Sequence, residues 1–352
     1  MGRIGDIIGL LRLAGPRGLR RLRINAGSLK KYVRPYAVID CLVALEQEGL
    51  LAPLRAAGID TSARAGVDRR VLETVLEYLF ENDLVARRDG TRYEVADPRR
   101  FDATLEAMYA CLAYRAPGHA MGDLLGGRLR YGRDVARSDK YDAIASATLT
   151  SKFSYGFARS LILKSGADSV LDVGCGTGQF LAYLADSGFP GQLYGMDLAD
   201  DAIAAGRAEQ APRPSVQLFV GDARRLRDAA SRHGVRSVAL VSFMFVMHEF
   251  DDEMVGAVTA GIAEAFPQAR LLLTELIDRS SDELRRTRET TVFPELKLVH
   301  RLSNQVLRSR TEWVTLLSRF GYEVAAESRN DTANHLGLLL ERRSGALPSR
   351  DA

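Results

Sequence analysis

Cysteine is scarce in this chain: Cys41, Cys111 and Cys175 are the only three among 352 residues. They lie far apart, are odd in number and never stand as Cys-x-x-Cys. That leaves no disulfide framework and points to reduced thiols in a cytoplasm. Long apolar runs are missing as well. No stretch reaches the roughly 18 residues that a membrane helix needs, and the apolar run at residues 7–11 is cut by Arg12, too early for a secretion signal. Internal repeats and low-complexity tracts are absent, and only the tail, residues 344–352, reads as disordered.

What is present describes a soluble, globular protein, with 46% hydrophobic and 26% charged residues. At this length two domains are expected. The net charge of +3 is uneven: residues 1–34 hold nine Lys or Arg against Asp6 alone, which leaves the remainder at −5. A basic arm of this kind can touch nucleic acid or an anionic membrane. A solvated or dimer-crossing helix docking Ile7, Ile8, Leu10, Leu11 and Leu13 on a neighbour is the favoured reading.

Residues 35–54 have helical apolar spacing and end at Gly49, and residues 70–80 form a second periodic helix. Residues 84–95 alternate around Asp89-Gly90, a strong hairpin signal. Helices followed by a hairpin make a winged-helix-like domain over residues 35–99. Its second helix carries Glu73, Glu77, Glu81 and Asp83 where a duplex reader needs basic and amide side chains, so dimerisation or substrate covering fits better than DNA binding. Residues 100–165 read as a helical linker that covers the active site. There Tyr131, Arg133, Tyr141 and Tyr155 could line a pocket or simply pack.

From residue 166 to 345 short apolar runs alternate with amphipathic helices, the pattern of a doubly wound, mostly parallel α/β sheet of seven strands. Strands are expected near 168–173, 192–197, 215–220, 237–244, 269–275, 321–327 and 335–341. The first ends in Asp172-Val-Gly174-Cys-Gly176-Thr-Gly178-Gln179, a turn in which backbone N–H groups can approach a ligand. Gln179 stands where a dinucleotide fingerprint has its third glycine, which disfavours NAD. Asp197 closes the second strand, where a carboxylate can accept both hydroxyls of a ribose. Asp222-Ala223 follows the third, where an acid can take the amine of adenine.

With these residues the chain resembles the class I S-adenosylmethionine-dependent methyltransferases. The resemblance implies that Asp172, Gly174, Gly176, Asp197, Asp222 and Ala223 hold S-adenosylmethionine. After the fourth strand, the segment from Ser242 to Glu253 sets His248-Glu249-Phe250 at the strand's carboxyl end. Here the chain is similar to the two-domain small-molecule O-methyltransferases, whose N-terminal winged helix forms a homodimer. In that family the matching histidine is the general base, which assigns the role to His248. A flanking glutamate is matched by Glu275, whereas Ser309 stands where a second is expected.

The expected function is therefore O-methylation of a small, aromatic natural product. The alternative comes from His300 in Phe293-Pro-Glu-Leu-Lys-Leu-Val-His300. This stretch resembles bacterial C-methyltransferases of aromatic keto acids, in which two such histidines, here His248 and His300, hold iron. A regulator that senses S-adenosylmethionine while binding DNA is the rival from outside enzymology. His119, His233 and His335 carry no comparable context and read as surface or packing residues.

Overall fold

The structure is a computed structural model that describes residues 24, 25, 27–63, 66–287 and 293–343. Most of the basic arm and the whole tail 344–352 lie outside the described residues. The chain divides into two compact units, Met1–Ala113 and Tyr114–Ala352.

In the first unit α1 (Arg34–Gln47) and α2 (Leu51–Ala57) precede a short strand β1 (Ile59–Asp60). Helix α3 (Arg69–Glu81) begins where Asp68 accepts a hydrogen bond from Val71 N at 3.0 Å, an N-cap that satisfies one of the free first-turn donors. The expected hairpin is β2 (Val85–Arg87) with β3 (Arg92–Val95), paired antiparallel from Val85↔Val95, and β1 joins it on the other side of β3. Helix α4 (Pro98–Ala113) completes the unit and buries Phe101, Leu105 and Met108 at its own helical spacing. On α3 the acid run is in place and Arg69 is tied to Glu73 at 2.8 Å.

The second unit opens with two short helices, α5 (Arg115–His119) and α6 (Met121–Leu125), then α7 (Asp139–Phe153) and α8 (Tyr155–Ser165). From there strand and helix alternate: β4 (Ser169–Val173), α9 (Gln179–Asp186), β5 (Gln192–Asp197), α10 (Asp200–Gln210), β6 (Val216–Val220), α11 (Leu226–Arg232), β7 (Leu240–Met244), α12 (Asp252–Ala265) and β8 (Arg270–Leu276). After α13 (Ser281–Thr287), α14 (Phe293–Leu302) and α15 (Arg310–Arg319), the chain closes with β9 (Tyr322–Asn330) and β10 (His335–Arg342). All seven expected strands are present, in the spatial order β6-β5-β4-β7-β8-β10-β9. The sheet is parallel except for β10, which runs antiparallel to both β8 and β9.

The strands read as almost unbroken apolar runs because both faces are covered. Alternate residues go to opposite sides: Leu171, Leu271, Leu273, Leu338 and Leu340 pack with α11, α12 and α15, while Val170, Leu272 and Leu339 pack with α8, α9 and α10. Tyr155 belongs to the second cluster, its ring 5.0 Å from Phe180 and 5.4 Å from Tyr183, so its ring packs in the core. The strand order reverses at β4, between β5 and β7, which is where an open α/β sheet offers a crevice at its carboxyl edge. No helix among the described residues is long and apolar enough to cross a membrane.

Candidate active site

Two groups of residues meet the carboxyl edge of the sheet. The first is made mostly of backbone. Gly174 and Gly176 have φ of +76° and +55°, conformations that cost an L side chain strain. At Gly174 a Cβ would also stand 2.5 Å from Val246 Cγ2, whereas at Gly176 the space is open. The turn is tied to the neighbouring strand: Gly174 N donates to Met196 O at 2.7 Å, and Gly176 N donates to Asp197 Oδ2 at 2.8 Å. Asp197 Oδ1 also accepts from Ala199 N at 2.9 Å, so its carboxylate is fixed by two backbone donors. Each oxygen keeps a lone pair for a further donor.

Asp172 lies beneath the turn, 1% exposed, with Ser242 Oγ donating to it at 2.6 Å. Burial pushes its carboxyl up to about 7, against the hydrogen bond from Ser242. A buried carboxyl in this condition favours a cationic partner, which the amino group of S-adenosylmethionine would provide. Asp222 is less free than its sequence position suggests. Arg224 binds it through Nε and Nη2, at 2.9 and 2.5 Å, and through its backbone N at 2.9 Å. An adenine amine there has to share the carboxylate with Arg224 or displace it. Ala223 begins the short 3-10 turn that follows.

The second group is made of side chains. His248 sits in a 3-10 turn after β7 and Glu275 near the end of β8, adjacent parallel strands. Glu275, fully buried, grips His248 twice, accepting from the backbone N at 3.1 Å and meeting ring Nδ1 at 2.7 Å. A carboxylate accepts, so Nδ1 carries the proton and Nε2 is left with a lone pair. Burial opposes charge on this ring, but the Glu275 carboxylate and its hydrogen bond outweigh that, and the pKa lies above the ordinary histidine value.

His300, from α14, lies across from it with ring centroids 5.2 Å apart and planes at 66°. Its Nδ1 meets Leu296 O at 2.7 Å, which again fixes the proton on Nδ1 and opens Nε2. Burial, and then the neighbouring His248, push its pKa down to about 4. The pair is thus brought together as expected. No group of three or more His, Cys, Asp or Glu suited to a metal occurs among the described residues.

The polar side chains beside this pair carry no motif that marks them in the sequence. Arg137 Nη2 donates to Glu249 Oε1 at 2.8 Å, and Gln305 Nε2 donates to the same oxygen at 2.5 Å. Arg137 also faces Asp142 at 3.3 Å, and Asp142 in turn bonds the Tyr114 phenol, whose ring centroid is 6.5 Å from that of His300. Of the residues suggested as pocket liners, Arg133 turns to Asp134 at the surface and Tyr131 accepts from Arg137 N at 3.4 Å. Ser309 has a local role: its hydroxyl caps α15 by accepting from Glu312 N, while Glu312 reaches back to Ser309 N, a capping box. His335, read as a surface or packing residue, is buried and bonded to Ser154 Oγ at 2.5 Å. His119 and His233 are exposed, and His233 stacks on Phe219.

Comparisons with known proteins bear on the methyltransferase domain and on the fold. Residues 170–268 match the methyltransferase domain family. A 2-ketoarginine methyltransferase of Streptomyces arginensis is 27% identical over 334 residues, 89% of this chain and 95% of that protein. Among solved structures, human N-acetylserotonin methyltransferase in complex with S-adenosylmethionine superposes with a TM-score of 0.67 at 16% identity, covering 91% of this chain and 98% of the other. The mitomycin 7-O-methyltransferase MmcR does so at 0.61 and 17% identity, covering 93% and 99%. With its glycine turn and seven-stranded sheet, the chain is an S-adenosylmethionine-dependent methyltransferase that carries a methyltransferase domain over residues 170–268, and its fold is that of these solved methyltransferase structures.

Proposed function

We propose that this methyltransferase acts on a small 2-keto acid and methylates the carbon next to the ketone, with His248 as the base. The observation that carries this is the second buried imidazole: His300, whose Nδ1 is bonded to Leu296 O so that Nε2 is left with a lone pair, has its ring centroid 5.2 Å from that of His248. A phenol needs one base. A 2-keto acid reacts through its enol, and there a second bare nitrogen can accept from the enol hydroxyl and take its proton as the carbon attacks the methyl. The full-length likeness to a protein named for a keto acid supports the same choice.

Asp172 and the turn from Gly174 to Gly176 would hold the methionine end of the cofactor, Asp197 its ribose, and Asp222 with Ala223 its adenine. When bound, S-adenosylmethionine supplies an electrophilic methyl. His248 Nε2 takes the proton from the substrate carbon, and Glu275 stabilises the imidazolium through Nδ1 and fixes the ring's orientation. An iron ion on His248 and His300 would find two imidazole nitrogens and no third protein ligand among the described residues, short of a facial triad. No step is assigned to it.

Oxygen methylation is the second reading. It is supported by the sufficiency of the His248–Glu275 pair for a phenol, and weakened because the expected second glutamate is replaced by the helix cap Ser309. A homodimer through the N-terminal unit is also part of the proposal. Leu29, Tyr32, Val33 and Tyr36 recur at helical spacing and are 53–65% exposed, an apolar stripe that a second copy would cover.

The test is turnover of methyl-labelled cofactor with arylpyruvates, a guanidino 2-keto acid and phenols. Label on the carbon beside the ketone is expected. Label only on phenolic oxygen would end the keto-acid reading.

A further inference from the structure

Glu249 creates a physical difficulty for a base at His248. It is the next residue in the chain, and its Oε1 lies 3.9 Å from His248 Nε2, the nitrogen that has to stay open to substrate. A carboxylate so close to an imidazole gains by closing the gap to a charge-assisted hydrogen bond, as Glu275 has done on Nδ1. Two carboxylates, one on each nitrogen, would clamp the ring and store a proton between Nε2 and Glu249. Nothing would then be left to accept a proton from the acceptor.

Two donors restrain that carboxylate. Arg137 reaches Oε1 from the segment between α6 and α7, its side chain only 18% exposed, and Gln305, 6% exposed, reaches it from behind α14. Both are braced. Arg137 is held by Asp142 at 3.3 Å and Asp139 at 3.5 Å. Gln305 N donates to His300 O, and the next residue, Val306, donates its N–H to His248 O at 2.7 Å. We propose that Arg137 is a positioning residue whose grip on Glu249, shared with Gln305, keeps that carboxylate off His248 Nε2 and so holds the base open.

The inference rests on the reading of His248 as base. A merely structural Arg137, tying the covering segment down, makes a different prediction, because then removing the charge of Glu249 cannot repair its loss. In the full-length protein, Arg137→Met is expected to lower kcat about 100-fold, the scale of a lost general base, with the KM for S-adenosylmethionine unchanged. Adding Glu249→Gln to that variant should raise kcat at least about tenfold again, and Arg137→Lys should lose less than Arg137→Met.

An acceptor-independent reading comes from ring 15N shifts of labelled histidine, with His248 assigned by its loss in His248→Gln. At a pH above the raised His248 pKa the wild type should show a bare Nε2, Arg137→Met a protonated one, and the double variant a bare one again. A double variant as slow as Arg137→Met, or a ring unchanged in Arg137→Met, overturns the proposal. Ring shifts that behave as stated while no keto acid or phenol turns over support this inference and count against the proposed reaction.

Discussion

The proposed cofactor side and the proposed acceptor side of this site are built by different means. The first consists of backbone donors and carboxylates at the ends of three adjacent parallel strands, each within a few residues of a glycine turn or a strand end. The second consists of side chains drawn from Tyr114 to Gln305, joined by contacts such as Arg137 with Glu249 that span more than a hundred residues of sequence. A backbone site recurs wherever the strand order recurs. A side-chain site can be rebuilt one residue at a time, and under the proposed function it would decide which molecule is methylated.

The comparison breaks if a variant on one side disturbs the other. His248→Ala should have the largest effect, a loss of about 1,000-fold in kcat, with cofactor affinity unchanged by calorimetry. A matching loss of cofactor binding would mean that the two sides are not separable.

Two buried groups, Asp172 on one side and His335 outside both, should respond to pH with opposite signs. Asp172 has a folded pKa of about 7, above its value in an unfolded chain, so the folded state holds the extra proton and stability falls as pH rises from about 4 to 7. His335, pushed down to about 4 by burial, does the reverse. The unfolded chain binds the extra proton, and stability falls as pH drops from about 6.5 to 4. Each contribution is on the order of 3 to 4 kcal/mol at most. Thermal melts of the cofactor-free protein should show Asp172→Asn more stable than wild type at pH 8, and His335→Asn losing less stability than wild type between pH 6.5 and 4. A slope unchanged in either variant would remove that group from the account.

Asp197→Ala removes one charged partner on the cofactor side and should weaken S-adenosylmethionine about 10- to 100-fold, the worth of a charge-assisted hydrogen bond. At saturating cofactor kcat should stay near that of wild type; a large fall there would join the two sides again. The smallest effect belongs to Ser309→Ala, which removes a helix cap at a cost of about 1 kcal/mol and should leave turnover intact. A drop in kcat would restore Ser309 to the acceptor site.

This contrast also marks what was legible in the sequence. The positions of Asp172, the glycine turn, Asp197 and Asp222 at the sheet edge could be read because each is fixed by a strand that announces itself as an apolar run. The same holds for Glu275, near the end of β8, and for His248, just beyond β7. Arg137, Asp142 and Tyr114 lie on short helices and loops with no periodic pattern, and only the folded chain brings them to Glu249. The pairing of Asp222 with Arg224 was missed although the two are neighbours, because nothing in the sequence separates a charge facing the ligand from one facing its own turn. For Tyr155 the sequence left pocket lining and packing equally open, since a buried tyrosine and a pocket tyrosine share the same helical spacing, and the structure shows packing.

The antiparallel strand β10 has a consequence for synthesis. It is inserted between β8 and β9, so the outer rim of the strand that carries Glu275 stays unpaired until residues near 340 have left the ribosome. Until then the nascent polypeptide displays a row of unpaired amides and carbonyls along a greasy segment, the kind of surface that recruits other chains. Premature termination before His335 should therefore yield aggregates rather than a smaller working catalyst.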